Sequence, residues 1–362
     1  MTLLPGATIG IIGNNLVSWR IAQAARNTGY LVAMYLENAD TRQNTSADYI
    51  FIGRKDWESF VNLSAIVIYN DLGLPFELVS ELDQLNLPQG TMTLDLADDL
   101  SLSRSFFDEH AINILPYKLA STLDEIALAA TALSYPVAVK PIFKHAESAE
   151  TVILSGAWDL GLVAPLIDGG QLLVETWLED AVEYRASVVR DANGNVINYP
   201  LTQIRRNSQH QVTQIWLEDG PTTDVIEAMQ QTIQQIARPL DYVGAFYVTF
   251  LYSTTGNLYV GDIFPGIGSE QFVYSATMTT DLIEQHLRVL TGQALKPTRQ
   301  HSVAIYRPMN DEEISRLYPQ WAIKPNWQIT IDTEKNEGYV IASGEQLVAL
   351  EAQMAVADIW ID

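Results

Sequence analysis

Cysteine is absent from all 362 residues, which removes disulfides, thiolate metal sites and cysteine nucleophiles and fits a reducing compartment. No apolar run approaches the ~20 residues needed to cross a bilayer, and the opening MTLLPGATIGIIG lacks a basic leader. A cytoplasmic chain with no membrane partner is the expectation. Basic residues are scarce: 21 Lys and Arg stand against 44 Asp and Glu, for a formal charge of -23. Such a surface repels nucleic acid over most of its area. The scarcity is sharpest between Arg238 and Arg288, where no Lys or Arg occurs. The five histidines, His110, His145, His210, His286 and His301, lack ligand spacing and read as surface or core residues.

What is present is enough apolar material, 48% of the chain, to build two or three domains. The N-terminal part alternates short apolar runs with helical pattern: ATIGIIG, a helix from about Leu16 to Thr28, YLVAMYL, DYIFIG and AIVIYN. That alternation predicts an open parallel sheet flanked by helices. Gly13 closes the first strand and Glu37 follows the second, but Asn14, Asn15 and Ser18 stand where a dinucleotide fingerprint needs glycine.

From about Leu94 to Phe107 the pattern is helical, and STLDEIALAATALSY predicts a second helix capped by Ser121 or Thr122, with Glu125 placed for a capping box. YPVAVKPI then reads as a strand ending in Lys140, QLLVETWLE and EYRASVVRD as further strands, and Thr222 to Arg238 as an amphipathic helix. VGAFYVTFLY and NLYVGDIF form a predicted hairpin around STTG. This strand ends in Asp262 and a Pro-Gly turn. A helix carrying Leu282, Ile283, His286, Val289 and Leu290 on one face follows, closed by Gly292. The last stretch is β-rich.

Several of these blocks resemble, in order, the 5-(carboxyamino)imidazole ribonucleotide synthase family of the ATP-grasp superfamily. The matching frame is Gly13 with Ala25, Arg26, Gly29 and Tyr30; Lys140 and Pro141; Asp262, Ile263 and Pro265; and Glu284, Gln285, His286, Leu287, Arg288 and Gly292. The resemblance implies an α/β protein of three parts: a pre-ATP-grasp open parallel sheet at 1–93, an ATP-grasp domain at 94–295 and a small C-terminal β-rich subdomain at 296–362. It implies ATP and Mg as cofactors, a small-molecule nucleotide ligand, a homodimer, and a ligase that carboxylates aminoimidazole ribonucleotide with ATP and bicarbonate in purine biosynthesis.

By that resemblance, nucleotide binding falls to Arg104, Lys140, Glu175 and the hinge backbone near Trp177 and Leu178, with Glu183 as the nearest acid for the ribose. Asp262 stands at a metal carboxylate position, and the substrate cleft falls on Gly13, Asn14, Asn15, Gly266, Gly268 and Ser269. Read without it, Lys140 is equally a lysine snorkelling at a strand end, Glu175 a strand-end surface acid, and Glu183 and Arg185 an exposed pair.

The departures from the family pattern are many. Asn14, Asn15, Leu16, Val17 and Ser18 replace most of a glycine-rich turn. The acidic signature after the fourth strand reads Ile68, Tyr69, Asn70, Asp71, Leu72, Gly73, Leu74 and Pro75. FKHAESAET after Lys140 has no glycine, and a metal Glu falls on Thr249. The family's Arg, His and Asn read Gly266, Gly268 and Ser269, its last His reads Phe272, and its Arg-Lys-x-Gly-His has no counterpart in EKNEGYVIAS. Two readings follow: a divergent ATP-dependent ligase, or a catalytically silent paralogue that binds a ligand or partner through the old cleft.

Overall fold

The computed structural model describes residues 2–38, 46–70, 74, 76–82, 84–144, 151–207, 209–217, 221–332 and 336–360. Its first four strands, β1 (Thr8–Ile12), β2 (Leu31–Leu36), β3 (Tyr49–Ile52) and β4 (Ile66–Tyr69), form a parallel sheet in the order β3-β2-β1-β4. Every residue of β1 is buried, as a strand covered on both faces requires. The helix after it, Leu16–Asn27, starts where the Asn15 side chain accepts the Ser18 N–H, satisfying one of the free donors of its first turn.

The predicted helical stretch after residue 94 is two helices, Met92–Asp98 and Leu100–Glu109. Asp99 divides them because its carboxylate accepts the Ser101 and Leu102 N–H groups, capping the second helix. The predicted cap of Leu123–Leu133 is reciprocal: Thr122 accepts the Glu125 N–H at 3.2 Å and the Glu125 carboxylate accepts the Ser121 N–H at 2.7 Å. Around that helix β5 (Tyr117–Ala120), β6 (Val137–Pro141), β7 (Val152–Leu154) and β8 (Leu172–Thr176) make an antiparallel sheet in the order β5-β8-β6-β7.

The third sheet is the largest among the described residues. It holds β9 (Val182–Arg190), β10 (Val196–Asn198), β11 (Thr202–Arg206), β12 (Val212–Leu217), β13 (Gly244–Tyr252), β14 (Leu258–Pro265), β15 (Val303–Met309), β16 (Trp327–Asp332) and β17 (Glu337–Gly344). Its order is β14-β13-β9-β11-β12-β15-β17-β16, with β10 paired to β9. The C-terminal β-rich part is thus continuous with the central sheet, joined where Ile215 and Trp216 of β12 face Tyr306 and Ile305 of β15. The helix Leu282–Leu290 buries its predicted face, and Gly292 closes it at φ 75°. His286 lies wholly in the core, where its Nδ1 accepts the Ala245 N–H at 2.7 Å.

Candidate functional site

Five charged side chains meet between the small sheet and the large one. Lys140 and Glu175 come from adjacent strands β6 and β8, Arg104 from the helix Leu100–Glu109, Asp262 from β14, and Lys144 from the turn after β6. Arg104 Nη2 lies 2.9 Å from Glu175 Oε1, and Lys140 Nζ lies 3.0 Å from Glu175 Oε2. Arg104 Nη1 also donates to the Gly261 carbonyl at 2.9 Å and reaches Asp262 at 3.3 Å, while Lys144 Nζ is 3.4 Å from the same Asp262 oxygen.

Burial alone would raise both carboxylates. Lys140 and Arg104 outweigh it at Glu175, and Lys144, Arg104 and Lys140 outweigh it at Asp262, so both are held below the usual carboxylate range. Lys144 moves the other way: burial, with Arg104 and Lys140 as cationic neighbours, depresses its ammonium against the pull of Asp262. The cluster holds three cations and two carboxylates.

Arg104, Lys140, Glu175 and Asp262 are therefore brought together, and Glu175 is a buried acid, not a surface one. Glu183 is elsewhere. It takes Arg206 in a two-point pair at 2.7 and 2.9 Å, while Arg185 is buried against Glu270, so the expected exposed Glu183–Arg185 pair does not form. Strand pairing explains this: β11 runs beside β9 and carries Arg206 to the Glu183 side. Trp177 donates its N–H to the Pro136 carbonyl at 3.0 Å, with its ring edge-on to His210; Leu178 follows it, half-buried.

The donor set for a divalent metal does not fit. Asp262 is engaged by two cations, Thr249 offers a hydroxyl that accepts the Asp262 N–H at 2.7 Å, and among the described residues no three His, Cys, Asp or Glu side chains converge.

The substrate-cleft residues form a different kind of surface. Asn15 donates to the Asn70 carbonyl at 2.8 Å, and Asn70 clamps the Ile267 backbone, accepting its N–H at 2.9 Å and donating to its carbonyl at 3.0 Å. Gly266 adopts φ 81°, and a Cβ there would meet Asn70 Oδ1 at 2.5 Å, so the clamp and the glycine require each other. Glu270 pairs with Arg185, and Gln271 joins the Gly268 N–H to the Ser187 hydroxyl. Asn15, Gly268 and Ser269 line a cleft of about 920 Å³; Gly13, Asn14 and Gly266 do not.

Lys144, Asn70 and Glu270 are the members that the sequence did not single out. Lys144 lies four residues after Lys140, in the turn that leaves β6, a placement without a local pattern to announce it, and the Asn70 and Glu270 contacts depend on distant chain segments. His145 and the rest of 145–150, with Asp71, Leu72, Gly73 and Pro75, lie outside the described residues.

A family model for the ATP-grasp domain matches residues 105–267. An N5-carboxyaminoimidazole ribonucleotide synthase of Staphylococcus saprophyticus is 24% identical over 340 residues, covering 90% of this chain and 88% of its own. The N5-carboxyaminoimidazole synthetase of Staphylococcus aureus, solved with ADP, superposes with a TM-score of 0.90 at 20% identity over 98% of both chains. The Aspergillus clavatus N5-carboxyaminoimidazole synthase, solved with ADP and 5-aminoimidazole ribonucleotide, gives 0.86 at 12% identity over 97% of both.

Proposed function

This chain is a divergent member of the ATP-grasp superfamily, within the N5-carboxyaminoimidazole ribonucleotide synthase family, and from that premise we propose that it binds an adenine nucleotide without performing its relatives' carboxylation. One observation carries the reading: the buried cluster at the junction of the two sheets holds Arg104, Lys140 and Lys144 against only Glu175 and Asp262. An anion beside Lys140 and Lys144 would offset the burial that, together with the cationic neighbours Arg104 and Lys140, depresses Lys144. Phosphate oxygens satisfy that demand, and lysine ammonium groups are common phosphate partners.

ATP, when bound, supplies the phosphoryl group that ATP-grasp ligases use to activate a carboxylate or bicarbonate. In this chain Lys140 and Lys144 would hold the phosphates, and Glu175 would keep Lys140 and Arg104 in place through its two oxygens. Mg is left out of the proposal because its donor set does not fit. On the acceptor side, the positions that the family fills with Arg, His and Asn are Gly266, Gly268 and Ser269, and Arg185 is neutralised by Glu270. A substrate phosphate therefore loses charge-assisted contacts worth ~1.5–3 kcal/mol each. The proposal extends, by family likeness, to a homodimer in the cytoplasm.

Calorimetric titration with ADP, with and without magnesium, tests the nucleotide half. Binding that Lys140→Ala weakens at least tenfold is the expected result. No binding of ADP or ATP to the wild type would remove the reading.

A further inference from the structure

We propose that a hollow of about 900 Å³ at the end of β9 is a site for a small oxyanion, the phosphate or carboxylate group of a polar small molecule. Its volume lies in the range of small-molecule pockets. Among the described residues Arg190, Arg238 and His110 line it with the amides of Asn193, Gln234 and Gln235, and no carboxylate does. In a chain of 44 Asp and Glu against 21 Lys and Arg, this is a local reversal of sign. Such a recess draws anions. None of these residues belongs to the charged cluster or to the cleft lined by Asn15, Gly268 and Ser269.

Arg190 carries the assignment. It closes β9 opposite Gly244 of β13, and its Nη1 donates to the Tyr242 carbonyl at 2.6 Å. That bond orients the guanidinium, while the Nε is shielded from water and has no acceptor among the described residues. A shielded donor of this kind is unfavourable until an acceptor reaches it. The edge formed by Nε and Nη2 presents two parallel N–H groups, which match two oxygens of a carboxylate or phosphate. The turn 191–195 passes beside this edge, where a Cβ on Gly194 would stand 3.7 Å from Nη2. An oxygen that reaches Nε displaces this turn, so its amides report binding.

The neighbouring groups leave that edge to a ligand. Asp191 is next in sequence, but its oxygens accept the N–H groups of Asn193 and Asn195 and the Asn195 side-chain amide. Arg238 and His110 follow the helices Thr223–Ala237 and Leu100–Glu109, whose negative ends a cation opposes. That accounts for their positions and not for Arg190, which stands on a strand. Gln235 donates to the His110 carbonyl at 2.8 Å, joining the two helix ends into one wall. His110 Nδ1 lies 2.8 Å from the Phe106 carbonyl, so Nε2 is the nitrogen left for a ligand.

The inference does not rest on the nucleotide reading of the cluster. Calorimetry and amide NMR of the full chain, at constant ionic strength, would titrate inorganic phosphate and succinate against a chloride control. At least one should bind saturably and shift the amides of Asn193, Gly194 and Gln235. Arg190→Lys keeps the charge and a donor for the Tyr242 carbonyl but loses the paired N–H edge, and should weaken that binding at least tenfold. Arg238→Gln, at an exposed position that does not threaten folding, should weaken it at least threefold. Arg299→Gln, which removes the same charge from another exposed site, and Lys140→Ala should leave binding at those amides within twofold. The tighter of phosphate and succinate identifies the source of the oxyanion. Absence of saturable binding, shifts confined to the cluster around Lys140, or an affinity indifferent to both Arg190→Lys and Arg238→Gln would overturn the assignment.

Discussion

Arg104 and Glu175, 71 residues apart in sequence, meet with both side chains almost fully buried, the Arg104 Nε and Nη2 atoms at 3.0 and 2.9 Å from one Glu175 oxygen. The second Glu175 oxygen holds Lys140. One carboxylate thus ties the helix Leu100–Glu109 to the sheet that carries Lys140. Removing one partner of a buried ion pair strands the other, which typically costs about 3–5 kcal/mol. Glu175→Ala should therefore lower unfolding free energy by about that amount in urea titrations, and ADP binding should fall with it. A change near zero would mean that the pair does not anchor the cluster.

His286 gives a pH signature. Burial lowers its folded-state pKa to about 3 from the ordinary 6.5, so the unfolded chain binds more protons between those values. Stability is then fully present above pH 6.5 and lost as pH falls towards 3. At about 1.4 kcal/mol per pH unit, the single site contributes about 2 kcal/mol of loss between pH 6.5 and 5. His286→Asn keeps an acceptor for the Ala245 N–H, and its unfolding free energy should be correspondingly flatter over that window. An unchanged slope would refute the buried neutral imidazole.

The Asn70 clamp and Gly266 make a coupled pair. Gly266→Ala should cost about 1–3 kcal/mol through its positive φ and the contact with Asn70 Oδ1. The cost should shrink by at least ~0.5 kcal/mol in an Asn70→Ala background, because the obstructing amide is gone. Equal costs in both backgrounds would show that the two residues act independently.

Much of the fold was legible because its elements carry their own periodicity and caps. The buried run of β1, the Thr122–Glu125 cap and the closing Gly292 all follow from local sequence. Lys140 and Glu175 sit next to strand ends and Arg104 on a helix face, as family order placed them, whereas Asp262 lies inside β14, which runs on to Pro265 and does not end at the acid as the sequence suggested. The Arg185–Glu270 and Glu183–Arg206 pairs were not legible. Each is fixed by sheet register or by a loop folding back on a strand, and no local pattern encodes either. The continuity of β15 with β12 was hidden for the same reason.

The proposed homodimer predicts that static light scattering at micromolar concentration returns twice the 40.3 kDa chain mass. A mass of one chain across that range would contradict it.

The most direct test of the central claim measures ATP turnover that depends on aminoimidazole ribonucleotide and bicarbonate, side by side with the Staphylococcus aureus relative under identical conditions. The account predicts ADP binding to this chain together with turnover at least a hundredfold below the relative's, since the proposed loss of two or more charge-assisted phosphate contacts removes ~3–6 kcal/mol and every ~1.4 kcal/mol is tenfold. Turnover approaching the relative's would contradict it and return the carboxylation chemistry to this chain.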